Sequence, residues 1–192
     1  MSLWKLITAR WGSGAGEVDE VRIDASTNSL QIVDYAHHEI HGGSHYYVKS
    51  YDELGSTDTV EFVITIPNTT TWAHLLFSLE STGETQIDIY EGASGVSGGT
   101  TVTPINNNRN SVSTSVLTIV KDPTSITSDG TLISASLVGI ASTPSKTLGG
   151  EVGREDEIIL KQNETYLIRV TSNSNDNNVD YKANWYEHAD KH

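Results

Sequence analysis

Apolar residues recur along this chain at alternate positions, in short runs separated by Gly, Pro, Asn, Asp and Ser. Thr59-Val-Glu-Phe-Val-Ile-Thr-Ile66 alternates and stops at Pro67-Asn68, a turn pair. Successive side chains of a strand point to opposite faces, so such runs predict half-buried strands. Leu30 to Glu39 reads as a strand, with Ser44 to Tyr51 as its hairpin partner across Gly42-Gly43. Trp72 to Glu80 is the most continuously apolar run, which predicts burial on both faces. Ser81-Thr-Gly-Glu84 turns it back into Thr85 to Glu91. Further strands are predicted at Val116–Val120, Thr131–Ile140, Glu157–Leu160, Thr165–Val170 and Val179–Tyr186. No segment predicts a helix. About ten short strands with turn signals between them predict an all-β, antiparallel β-sandwich of jelly-roll type. An immunoglobulin-like sandwich and a distorted barrel are the alternatives.

The start of the chain differs. Leu3, Trp4, Leu6, Ile7 and Trp11 are followed by Gly12-Ser-Gly-Ala-Gly16. A glycine run is a flexible link, so residues 1–16 read as an extended N-terminal arm with a hinge and residues 17–192 as one sandwich domain. Val18, Val21 and Ile23 among charged residues form a weak edge-strand pattern. The arm is too apolar to stand in water, and residues 1–11 are expected to pack on another chain.

Two polar connections stand out. Gly92 to Ser113 is the longest and contains Asn106, Asn107, Asn108, Arg109 and Asn110. A loop of that length is either a contact surface or an Ω-type loop bonded to itself, and the second reading is favoured. Ser172 to Asn178 offers oxygen ligands for calcium, but without the spacing of an EF-hand.

Composition narrows the partners. Apolar content is 36%, low for a helical bundle but suited to short strands and turns. The net charge of −13 argues against nucleic acid as a partner, because phosphate binding needs Lys and Arg clusters. It equally disfavours anionic membranes. Without cysteine there are no disulfides, thiolate chemistry or Cys-type zinc sites. Met1 to Arg10 is too short and too interrupted for a signal peptide, so folding in a cytosol is expected.

The stretch Asp34 to Tyr51 concentrates the candidate chemistry. It holds four of the seven histidines, His37, His38, His41 and His45, and four of the eight tyrosines. On a strand, His37, Glu39 and His41 share one face and form a weak candidate metal set. The favoured reading is structural: His37, His38, His41 and His45 contribute to a subunit interface that titrates near neutral pH. No HExxH, GxSxG or P-loop pattern occurs, and no carboxylate pair is singled out as acid and base. No enzyme activity and no cofactor are expected.

Several strings together resemble a family of tailed-bacteriophage virion structural proteins. They are Met1-Ser-Leu-Trp-Lys-Leu-Ile-Thr-Ala-Arg10, Val21-Arg-Ile-Asp-Ala-Ser-Thr-Asn-Ser-Leu30, Asp34-Tyr-Ala-His-His-Glu-Ile-His41, Thr103-Pro-Ile-Asn-Asn-Asn-Arg-Asn110, Ile159-Leu-Lys-Gln-Asn-Glu-Thr-Tyr166 and Asn184-Trp-Tyr-Glu-His188. They run from end to end of the chain. The resemblance carries no catalytic residues. It implies a head decoration (cement) protein that binds the major capsid protein, forms a homo-oligomer with a trimer favoured, and clamps the shell through its arm. Its place would be the capsid surface of a virion assembled in a bacterial cytoplasm. A tail or fibre module that binds carbohydrate, with Trp72, Trp185 or the tyrosines stacking on sugar rings, is the competing expectation.

Overall fold

A computed structural model describes residues 35–139 and 157–189, with backbone pairing also at 8–9, 19–20 and 148–150. The chain divides into two compact units, residues 1–38 and 39–192. In the first, β1 (Thr8–Ala9) pairs antiparallel with β2 (Asp19–Glu20). The arm residues Leu3, Trp4, Leu6, Ile7 and Trp11 lie outside the described residues.

The second unit is a β-sandwich. Its strands are β3 (His45–Leu54), β4 (Thr59–Ile66), β5 (Thr71–Ser81), β6 (Thr85–Glu91), β7 (Thr100–Val102), β8 (Ile105–Asn106) and β9 (Thr118–Lys121). They continue with β10 (Thr131–Val138), β11 (Leu148–Gly150), β12 (Ile158–Ile159), β13 (Glu164–Ser172) and β14 (Asn177–Ala189). Eight of these fold back on themselves as a rolled-up hairpin. The outermost pair is β3 with β14, then β4 with β13, β5 with β11 and β6 with β10. Lateral pairing of β14 with β5 and of β13 with β6 closes the roll. The sheets therefore run β11-β5-β14-β3 and β10-β6-β13-β4, the strand order of a jelly roll. Strand β8 widens the first sheet beside β3, and β9 and β7 widen the second beside β4.

Alternation explains the core. Tyr46 and Val48 of β3, Leu75, Phe77 and Leu79 of β5, and Tyr181, Ala183 and Trp185 of β14 point inward from the first sheet. Phe62, Ile64 and Ile66 of β4, with Tyr166, Ile168 and Val170 of β13, meet them from the second. Phe62 and Tyr181 join the two layers edge to face at 4.7 Å. The expectation that Trp72–Glu80 is buried on both faces is corrected: β5 alternates fully and partly buried positions, because it lines the core on one side only.

The other correction concerns Leu30–Glu39. Residues Tyr35–Gly42 form helix α1, and Gly42-Gly43 is no hairpin turn. Gly43 takes φ +76° and ends the helix. The amide of Gly43 donates to Ile40 O at 3.1 Å, and that of Ser44 to Glu39 O at 3.0 Å. This nested pair is a Schellman cap, which satisfies the last helical carbonyls through a left-handed residue. The cap delivers the chain directly into β3.

Candidate functional site

The register of three strands assembles a row of rings on the outer face of the first sheet. His45 of β3 stands opposite Tyr186 of β14, and Tyr186 stands opposite His74 of β5. These positions are offset by one from the core residues Tyr46, Trp185 and Leu75, so they face the other way. His188, two residues beyond Tyr186, shares that face. The ring centroids of Tyr186 and His74 lie 4.6 Å apart at 18°, and those of His45 and Tyr186 6.4 Å apart at 25°. His74 and His188 lie 4.6 Å apart.

Glu157 anchors the row. It stands just before β12, whose Ile159 pairs with His74. Its Oε1 is 2.6 Å from His74 Nδ1 and also accepts the Tyr186 hydroxyl. His188 Nδ1 lies 2.8 Å from the carbonyl of Ala189. A carboxylate and a carbonyl can only accept, so both Nδ1 atoms carry hydrogens. The remaining nitrogens, Nε2 of His74 and Nε2 of His188, face each other at 2.8 Å.

His45 has a different setting. It is buried, and the side-chain amide of Asn107 donates to its Nδ1 at 2.8 Å. Burial holds its pKa below the ordinary imidazole value, with Lys182 acting in the same direction and Glu39 opposing.

The other sequence-predicted residues separate. His37, His38 and His41 lie on α1 and are exposed, while Glu39 is buried and accepts the Ser44 hydroxyl. Residues two apart on a helix stand about 200° apart, so the face predicted for His37, Glu39 and His41 does not exist. Among the described residues no three His, Cys, Asp or Glu side chains are placed to hold a metal ion together.

The asparagine run is a bracket for the helix end. Asn106 is buried and its Nδ2 donates to Gly43 O at 2.8 Å and Ser113 O at 3.2 Å. Asn108 Nδ2 donates to His41 O at 3.1 Å, and the Asn107 amide donates to His45 O at 2.9 Å. Arg109 and Asn110 are exposed. Asn106–Asn108 thus tie their connection chiefly to α1 and β3, with one bond, Asn106 to Ser113, inside the connection itself. In the Ser172–Asn178 connection, Asn177 is fully buried, accepts from the Gly83 amide at 2.7 Å and donates to Thr85 Oγ1 at 2.8 Å.

The sugar-stacking candidates also divide. Trp185 is fully buried, with its Nε1 donating to Glu187 at 2.9 Å, and Tyr46, Tyr166, Tyr181 and Tyr186 are buried too. Tyr51, 76% exposed, is the one open tyrosine among those described. Sequence reading missed His74, Glu157, Tyr186 and His188. They become neighbours only through the pairing of β5 with β14 and β12. No protein-family model, no curated protein and no solved structure matches the chain.

Proposed function

We propose that this chain is a structural protein of a bacteriophage virion, a decoration protein that attaches to the major capsid protein on the head surface. Identity rests on the end-to-end resemblance of the sequence strings. The structural observation that best supports an attachment role is β10, Thr131-Leu-Ile-Ser-Ala-Ser-Leu-Val138. Among the described residues it ends its sheet, and it carries no charge and exposes Leu132, Ile133 and Leu137. Its register with β6 is broken between Leu132 and Ser134, but no Lys or Pro blunts it, and an exposed apolar edge pairs with other chains. An apolar edge strand on a chain of net charge −13 suits a protein that is soluble alone and docks during assembly. Burial of Trp185 and most described tyrosines weighs against the carbohydrate-binding alternative, which needs rings at the surface. A non-enzymatic role and a homotrimer belong to the same reading.

Co-sedimentation with heads of the encoding phage, prepared without this chain, tests it. The parent chain should pellet with the heads. Leu132→Lys/Leu137→Lys should stay in solution while keeping its fold, since exposed substitutions change stability by about 0.5 kcal/mol or less. A parent chain that stays in solution would contradict the reading.

A further inference from the structure

We propose that His74 and His188 form a two-histidine site for a divalent transition-metal ion on the outer face of the first sheet. Their Nε2 atoms converge at 2.8 Å. Zinc–nitrogen bonds of 2.0–2.1 Å at a tetrahedral angle place two nitrogens about 3.3 Å apart. Half an ångström of outward rotation by two side chains opens that gap. Each Nδ1 is already fixed by an acceptor, Glu157 Oε1 at 2.6 Å for His74 and Ala189 O at 2.8 Å for His188. This is how metal-binding imidazoles are oriented, with a carboxylate or carbonyl on one nitrogen and the ion on the other; here the ion would take the place of the hydrogen bond that joins the two Nε2 atoms. Tyr186 donates to the same carboxylate and stacks on His74 at 4.6 Å, which fixes the ring plane.

The support beneath the site is rigid. His74 lies on β5 and His188 on β14, and these strands pair without interruption from Val179↔Ser81 to Ala189↔Thr71. Among the described residues, His74 and His188 are both partly exposed. Two imidazoles with no thiolate suit Cu²⁺, Ni²⁺ or Zn²⁺. Water fills the remaining coordination positions, as in other open sites.

The test is calorimetric titration of the full chain with CuCl₂ and, separately, ZnCl₂. One ion per chain should bind in the parent and be lost in His188→Ala and in His74→Gln, with circular dichroism unchanged. His37→Ala/His41→Ala, which alters only the exposed helix, should retain it. Glu157→Gln should keep the stoichiometry and lower affinity about tenfold. If the parent binds neither ion, or if His188→Ala binds as the parent does, the two rings are only a hydrogen-bonded imidazole pair and the site is refuted.

Discussion

His45 makes the pH dependence of this fold specific. Its ring is buried, accepts from Asn107, and faces Tyr186 and Lys182 of β14 and Glu39 of α1. The folded pKa lies below that of the unfolded chain, about 6.5. The unfolded state therefore binds more protons below that value, and stability falls as pH drops through it toward the folded pKa. His45→Gln should flatten the decline of the urea midpoint between pH 7 and pH 5; equal slopes in parent and variant would remove His45 as the cause. Asn177 is a second residue with a defined cost. It joins the β5–β6 turn to the end of β13 through Gly83, Thr85 and Ser172, and it is fully buried. Asn177→Ala strands those polar groups without partners, so a loss of about 2–3 kcal/mol is expected in urea unfolding.

At the scale of elements, the helix end is the informative case. Gly43 has φ +76°, and a Cβ there would lie 2.4 Å from Ser111 Oγ. Gly43→Ala should destabilise by about 2 kcal/mol or more, from left-handed strain together with the clash. Adding Ser111→Gly should recover the clash but not the strain; full recovery would mean that backbone conformation is unimportant there. The same residues show what the sequence could and could not reveal. Thr59–Ile66 and Thr85–Glu91 were legible to their terminal residues because alternation stops at recognisable turns. The helix Tyr35–Gly42 was not, because eight residues whose only aliphatics are Ala36 and Ile40 carry too short an apolar stripe, and a glycine pair serves a hairpin or a helix cap equally well. The imidazole pair was hidden more deeply, since His74 and His188 are 114 residues apart and meet only through strand register. Position along the chain pointed instead to the dense histidines near α1, of which only His45 joins the row.

Residues 39–192 form a jelly roll in which β3 pairs with β14 and β4 with β13, so both ends of the rolled segment lie in one sheet. That topology buries Tyr46, Phe62, Phe77, Tyr166, Tyr181 and Trp185 between the sheets and leaves β10 as an uncharged edge among the described residues. The attachment reading places that edge against a capsid subunit. A cryo-EM reconstruction of the phage particle that carries this chain tests the central claim most directly. The account predicts jelly-roll density on the outer surface of the head, with the strand Thr131–Val138 at the contact with the shell. Particles that contain the chain only at the tail tip, or lack it altogether, would contradict the account.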